Sequence, residues 1–170
     1  MRFLIFVSFV LILFTGCSSK SVLVSDQRFW LPQLRDSLQR NDYRITISRG
    51  EMNISGIWVV RQINGTWRGT IMNEFGLKMF DFICTERKCE LQNVNTFADK
   101  WYIRRTIAGD IHFILEIDNQ KGRSVNRSFH NDTLTITQRN KTLQRFANGE
   151  MVMTNKKRNL TYTFRAMNNF

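Results

Sequence analysis

Apolar and polar residues alternate with a period of two over much of the chain, which is typical of strands in a half-buried antiparallel sheet. Asn64-Gly65 separates two of the alternating segments, and Asn-Gly favours a two-residue hairpin because both residues tolerate a positive φ angle. The first half therefore predicts a meander of consecutive strands ending near Val94, with alternation over residues 43–47, 52–60 and 66–72 and apolar side chains on both faces over 77–82.

One predicted turn, Asn73-Glu74-Phe75-Gly76, holds an aromatic residue where turns are usually polar. Gly76 can adopt the positive φ angle that lets a short loop reverse. Two positions for Phe75 fit this pattern. The side chain is either an exposed apolar tip or a lid folded over the end of the sheet, and the sequence leaves both open.

A helical period replaces the alternation between Thr96 and Leu115. Thr96 and Asp99 have the spacing of a capping box, and Gly109-Asp110 is expected to break the helix into two pieces. A second helical pattern covers residues 25–40. The residues expected on one face of the longer helix are Phe97, Trp101, Ala108, Ile111 and Leu115, with Ile103, Ile107 and Ile114 beside them.

Alternation returns after Gly122, and a second Asn-Gly pair, Asn148-Gly149, predicts another hairpin. Strands are expected around residues 125–129, 134–136, 143–145, 151–153 and 160–164. The order of helix, strands, helix and strands predicts a mainly β (α+β) fold, in which helices cover one face of a curved antiparallel sheet.

Residues 1–16 have the features of a lipoprotein-type signal peptide. A short basic start precedes the apolar run 3–14, which is shorter than the roughly 18 residues that a membrane-spanning helix needs. Thr15-Gly16-Cys17 resembles the bacterial lipobox, although Phe14 stands where a Leu is usual. We expect Cys17 to become an acylated first residue, carrying chains such as palmitate. The alternative is ordinary cleavage after Gly16, which leaves Cys17 free.

The rest of the chain after the signal peptide divides into a short tether and one domain. Residues 17–24 are expected to be a polar tether to the lipid anchor, and residues 25–170 are long enough for a single domain. If the sorting rule of bacterial lipoproteins applies, Ser18 in place of Asp implies the outer membrane. The chain is thus predicted to be anchored there by its N-terminal lipid, on the periplasmic face.

The chain is strongly basic, and removal of residues 1–16 lowers its formal charge only from +11 to +10. Such a charge suits nucleic acid, anionic lipid or an acidic partner. Export and dispersed basic residues argue against nucleic acid, since no binding signature is present. The one tight basic run, Lys156-Lys157-Arg158, is either a solvated hairpin loop or a site that attracts lipid headgroups or an acidic carrier protein.

Cys84 and Cys89 flank four polar residues between strand-like segments. A hairpin would place them opposite one another, at a distance that permits a disulfide, and the periplasm is oxidising. The sequence therefore predicts a structural disulfide. Its pairing leaves Cys17 as the odd cysteine, consistent with acylation.

Catalytic chemistry has no signature in the sequence. The motifs HExxH and GxSxG and a glycine-rich phosphate loop are missing, and the two histidines, His112 and His130, lie outside any cluster of catalytic or metal-binding residues. We expect a protein that is not an enzyme and that has no cofactor and no metal site.

These features together resemble the LolB-like receptors of the LolA/LolB superfamily, which accept lipoproteins at the outer membrane. The likeness comprises a lipobox, an N-terminal helix, a β-meander containing Asn73-x-Phe75-Gly76, a Trp-containing helix and a return to antiparallel strands. In LolB the turn reads Asn-Pro-Leu-Gly and its Leu helps to pass a lipoprotein into the membrane. Here Phe75 matches the apolar position, whereas Glu74 replaces Pro.

The resemblance implies an unclosed β-barrel with helices on its concave side and an apolar cavity for acyl chains of lipoproteins or lipids. It also implies delivery by a periplasmic carrier protein and a membrane-transfer loop formed by Asn73, Phe75 and Gly76. The alternative is an interaction or scaffold lipoprotein of an envelope assembly, with no cavity. The residues expected to line the cavity are Trp58, Trp67, Ile71, Met79, Trp101, Ile107, Ile111 and Leu115.

Overall fold

The computed structural model describes residues 41–96, 99–119 and 124–167, which form ten strands and one helix. The predicted signal peptide, Cys17, the tether 17–24 and the helix over 25–40 lie outside the described residues. The elements are β1 (Asn41–Arg49), β2 (Met52–Ile63), β3 (Thr66–Asn73), β4 (Lys78–Cys84), β5 (Cys89–Gln92), α1 (Trp101–Glu116), β6 (Val125–His130), β7 (Thr133–Gln138), β8 (Lys141–Phe146), β9 (Met151–Asn155) and β10 (Leu160–Ala166).

All ten strands belong to one antiparallel sheet in the order β5-β4-β3-β2-β1-β10-β9-β8-β7-β6. The sheet is not closed, and β5 and β6 are its edges. The first and last strands are neighbours near its middle, where Ile47 pairs with Tyr162. This architecture confirms the predicted mainly β fold built on one open antiparallel sheet.

The two predicted Asn-Gly hairpins are confirmed. Asn64 and Gly65 have φ angles of 48° and 74° and join β2 to β3. Gly149, with a φ angle of 83°, lies in the turn between β8 and β9, where its backbone N–H donates to the Phe146 carbonyl. Positive φ angles at these positions are the reason that the sequence signals them.

Helix α1 runs unbroken from Trp101 to Glu116, so the predicted break at Gly109-Asp110 is wrong. The capping box is also wrong. Lys100 is the N-cap and makes no side-chain capping bond, and the Asp99 carboxylate instead binds the Arg104 guanidinium at 2.6 Å. Over the described residues, no helix is both long enough and apolar enough to span a membrane.

The contacts of α1 show that the sheet curves around it. Arg104 donates to the Leu91 carbonyl of β5, and Asp110 accepts from the Asn155 amide of β9. Six residues of helix span about 9 Å. In a flat sheet, β5 and β9 would be roughly 29 Å apart, from six strand spacings of about 4.8 Å each. Side-chain reach does not cover that difference, so the sheet wraps around the helix.

The core lies between α1 and the inner face of the sheet, and Trp58 of β2 is at its centre. Its ring lies 4.8 Å from that of Phe164, 5.9 Å from that of Tyr43 and 6.0 Å from that of Phe82, measured between centroids. Ile111 and Ile114 of α1 belong to the same buried cluster. Aromatic rings from both halves of the sheet therefore meet beneath one helix.

Gly69 leaves the space in which the Phe82 ring lies. A Cβ atom at Gly69 would be 2.3 Å from Cζ of Phe82 and 2.3 Å from the Val59 carbonyl oxygen. The backbone oxygen cannot move without disturbing β2. We expect Gly69→Ala to lower the free energy of unfolding, measured by urea denaturation, by about 1–3 kcal/mol.

Arg68→Ala is the matched control, because Arg68 is exposed on the same strand. Its free energy of unfolding should change by no more than about 0.5 kcal/mol. If Gly69→Ala were as stable as the parent chain, the close approach of the Phe82 ring to β3 would be wrong.

The disulfide predicted between Cys84 and Cys89 is present. The two residues pair across the β4–β5 hairpin, with Cα atoms 3.9 Å apart. Closing so short a loop stabilises the fold by about 2 kcal/mol on the chain-entropy model. The bond fixes β5, the edge strand that supports the start of α1.

Candidate functional site

Several turns and the start of α1 lie at one end of the sheet. Because neighbouring strands are antiparallel, the β1–β2, β3–β4, β7–β8 and β9–β10 connections all point the same way. The chain also enters α1 there, since the Asn95 N–H donates to the carbonyl of Met79, near the start of β4. We call this the Phe75 end; it comprises residues 49–54, 73–78, 139–140 and 156–159, together with residues 100–104 at the N-cap and first turn of α1.

Phe75 lies at the tip of the β3–β4 loop and is 91% exposed. The Asn73 side-chain oxygen accepts hydrogen bonds from the backbone N–H groups of Phe75 at 3.0 Å and Leu77 at 2.9 Å. Gly76 reverses the chain with a φ angle of 79°. Phe75 is thus an exposed tip and not a lid on the core, and Asn73 and Gly76 form the loop that presents it.

The inner face of β2 continues from the core to the Phe75 end. Trp58 and Gly56 are buried, and the next residues on that face, Ile54 and Met52, are exposed. Gly56 pairs with Asn73, so β2 extends four residues, about 13 Å, beyond the end of β3. Apolar side chains therefore lie on both sides of Gly56 along this face, with Trp58 inside and Ile54 and Met52 outside, while the Met72 carbonyl oxygen fills the space beside Gly56.

Trp101 and Tyr102 begin α1 and add a third apolar projection at the Phe75 end. Trp101 is 73% exposed, and its ring meets that of Tyr102 edge to face at 6.1 Å. Trp101 was predicted to line the cavity, but it lies outside the core. Of the seven large apolar side chains that are exposed in the described part of the chain, only Phe129 lies elsewhere, near the opposite end.

The other residues predicted to line a cavity lie between the sheet and α1. They form one apolar cluster with the core aromatics. Those that are buried are Trp58, Trp67, Ile71, Met79, Ile111 and Leu115, while Ile107 is partly buried against the cluster.

Three buried aromatic residues present donors to this interior. The Tyr43 hydroxyl and the indole N–H groups of Trp58 and Trp67 have no hydrogen-bond partner among the described residues. Burial raises the pKa of Tyr43, so the hydroxyl keeps its proton at any physiological pH. Buried donors are normally paired, because an unpaired one costs roughly 1–3 kcal/mol. The interior therefore offers hydrogen-bond donors to an acceptor.

Asp110 is the buried charge that joins α1 to the sheet. Its carboxylate accepts from the Asn155 amide at 2.8 Å and the Tyr162 hydroxyl at 2.9 Å, and it lies 2.9 Å from the Lys141 ammonium. Burial and the Asp110 charge hold the pKa of Tyr162 well above its usual value. These contacts attach one helix residue to β8, β9 and β10.

Sequence reasoning missed Asp110 as a junction, and it missed four of the residues that project at the Phe75 end. The signal for Asp110 was an acid between Ile107 and Ile114 on an apolar helix face. Apolar residues that stand close to turn residues in the sequence could have indicated that side chains project at this end. The four projecting residues are Met52, Ile54, Leu77 and Tyr102.

The sequence matches no known protein family and no curated protein. What the Phe75 end and the interior bind is therefore inferred from their own side chains.

Proposed function

We propose that this chain is a lipid-anchored outer-membrane protein that binds acyl chains in its apolar interior. It receives acylated proteins or lipids from a periplasmic carrier and passes them to the membrane, as LolB-like receptors do. The observation that carries this proposal is Phe75, which is 91% exposed on a loop that Asn73 holds in place.

Transfer of an acyl chain needs no covalent step. It requires burial of hydrocarbon in the receiving protein, and each buried CH₂ group contributes about 0.8 kcal/mol. The inner face of β2 leads from the core to the tip of the molecule, because Ile54 and Met52 lie on it beyond Trp58 and Gly56. An acyl chain that leaves the core past Gly56 meets the apolar side chains of Ile54 and Met52 before it reaches the membrane.

The unpaired donors in the core support an acylated guest. Acyl chains on proteins and lipids are joined through amide or ester groups, whose carbonyl oxygens accept hydrogen bonds. The Tyr43 hydroxyl and the Trp58 and Trp67 indoles are placed among the apolar residues that would contact such a chain. A bound carbonyl group would satisfy a donor that otherwise stays unpaired.

Three further features agree with a LolB-like receptor. An open sheet curves around a helix, and the turn keeps Asn73, an apolar residue and Gly76 in order. The lipobox-like ending at Cys17 supplies the anchor, and Ser18 after it favours the outer membrane. Several acyl chains on one cysteine would hold the protein at the membrane stably.

Phe75→Glu tests the proposal. We expect delivery of an acylated protein to vesicles to fall at least about tenfold, because a charge replaces an apolar group worth roughly 2 kcal/mol at the membrane. The free energy of unfolding should stay within about 0.5 kcal/mol of the parent value, since Phe75 contacts water and not the core.

Phe129→Glu is the matched control, because Phe129 is an exposed aromatic residue near the opposite end. This variant should deliver its cargo at the parent rate. Equal delivery by the parent and by Phe75→Glu would contradict the role assigned to the loop.

A further inference from the structure

We infer that the Phe75 end is a docking surface for a bilayer that contains anionic lipid. Three separate projections insert at headgroup depth, and the cations between them bind anionic headgroups. The projections are the tip of the β1–β2 hairpin with Met52 and Ile54, the β3–β4 loop with Phe75 and Leu77, and the helix start with Trp101 and Tyr102. Docking does not depend on acyl transfer, so it extends beyond the proposed function.

Positive charge dominates the Phe75 end. Of its described cations, six form no ion pair with any described carboxylate, whereas Lys78 binds Asp81 and Arg104 binds Asp99. The carboxylates left unpaired at this end are Glu51 and Glu74. The six unpaired cations are Arg49, Lys100, Arg139, Lys156, Lys157 and Arg158.

Among the described residues, the opposite end has no comparable excess of positive charge. Glu86, Asp132 and Glu150 lie in the turns there and Asp118 follows the end of α1, so that carboxylates offset the cations of that end, Arg61, Arg68, Arg87 and Lys88. The excess of positive charge therefore lies at the same end as the apolar tips. In the field of an anionic surface, this distribution turns the Phe75 end toward the membrane.

The composition of this end favours lipid over a protein partner. Aromatic residues and Arg are common both in protein interfaces and at lipid headgroups, so the lysines decide: Lys is depleted in the cores of protein interfaces but common at the level of lipid headgroups. Lys156 and Lys157 stand beside Arg158 in one short 3-10 turn, fully outside the core. Apolar tips separated by flexible cations fit a fluid headgroup layer. Each Lys or Arg near an anionic surface raises the membrane-binding constant about fivefold.

Hydrogen–deuterium exchange of the full chain, reconstituted into vesicles, tests this inference. We expect backbone protection at 49–54, 73–78, 100–102 and 156–159 on vesicles of phosphatidylcholine with 30% phosphatidylglycerol, relative to pure phosphatidylcholine. Protection should weaken in 1 M salt, where screening acts within about 3 Å. The triple variant Lys156→Gln, Lys157→Gln, Arg158→Gln should lower the ratio of docked to undocked molecules about 100-fold and remove the protection.

The matched control neutralises three exposed arginines away from the Phe75 end, Arg61, Arg68 and Arg87, and should keep the protection. Equal protection on both kinds of vesicle would overturn the inference, and so would protection confined to the opposite turns. Protection that rises with protein concentration in detergent, without vesicles, would show a second copy covering this end and would also overturn it. A chain that docks but fails to deliver acylated cargo would retain this inference and lose the proposed function.

Discussion

Asp110→Ala should lower the free energy of unfolding by about 3 kcal/mol. The substitution leaves the Asn155 amide and the Tyr162 hydroxyl without their acceptor, and it removes the carboxylate that faces the Lys141 ammonium. Breaking a buried charged network by deleting one member is strongly destabilising, because the remaining polar groups stay out of water. Urea denaturation, followed by far-UV circular dichroism, measures the change.

The double variant Asp110→Leu, Lys141→Met separates this explanation from a simple loss of packing. Replacing both charged partners by apolar residues of similar volume should recover a large part of the loss, since no charge remains unpaired. Glu150→Ala is the matched control for removal of a carboxylate, because its ion pair with Arg165 is largely exposed and should contribute under about 1 kcal/mol. A loss below 1 kcal/mol for Asp110→Ala would mean that this junction does not hold α1 in place.

Trp58→Ala should lower the free energy of unfolding by about 3–5 kcal/mol, the usual loss when a buried aromatic residue is truncated. The indole contacts the Tyr43, Phe82 and Phe164 rings, so its removal opens a space shared by both halves of the sheet. Urea denaturation of the variant and the parent gives the difference.

Trp58→Phe is the informative companion, because it keeps one aromatic ring and removes the unpaired indole N–H together with part of the ring system. We expect a loss of about 1–2 kcal/mol, well below that of Trp58→Ala, since most of the apolar volume stays and no hydrogen bond within the described residues is broken. If the acyl carbonyl of a guest uses this N–H, the same variant should bind an acylated ligand several-fold more weakly while remaining folded. If Trp58→Phe lost as much stability as Trp58→Ala, the indole N–H would have to make a stabilising hydrogen bond within the protein, contrary to the structure.

The strands were predictable from the sequence because one face of the sheet is buried and the other faces solvent. Tyr43 and Ile45 alternate with polar neighbours, and Asn64-Gly65 marks where β2 turns into β3. The meander of consecutive strands predicted for the first half is confirmed, whereas the strand on the other side of β1 was not predictable in the same way. Alternation shows which face is buried but not which strand is the neighbour, so the pairing of Ile47 with Tyr162 required the folded chain.

The errors in the helix have physical reasons. Gly109 and Asp110 looked like a break because both residues disfavour helix interiors. The Asp110 side chain finds its partners on the strands, so it does not compete for the backbone of its own helix. Periodicity also placed Trp101 inside, but the first turn of α1 extends past the core. The exposed tip at Phe75 could be named from the sequence only as one of two possibilities.

The pairing of β1 with β10 joins two five-stranded meanders, β1–β5 and β6–β10. Within each meander, every strand pairs with the strand that follows it in the sequence. The strands of each meander can pair as soon as they are synthesised, whereas β1 can pair with β10 only after almost the whole chain has been synthesised. Pairing of residues so distant in sequence is slow, because a long loop must close first. Loss of the last strand would leave Tyr43 and Ile45 on an open edge, ready to pair with another chain. A truncated product should consequently aggregate, even though most of its strands and both Asn-Gly turns are intact.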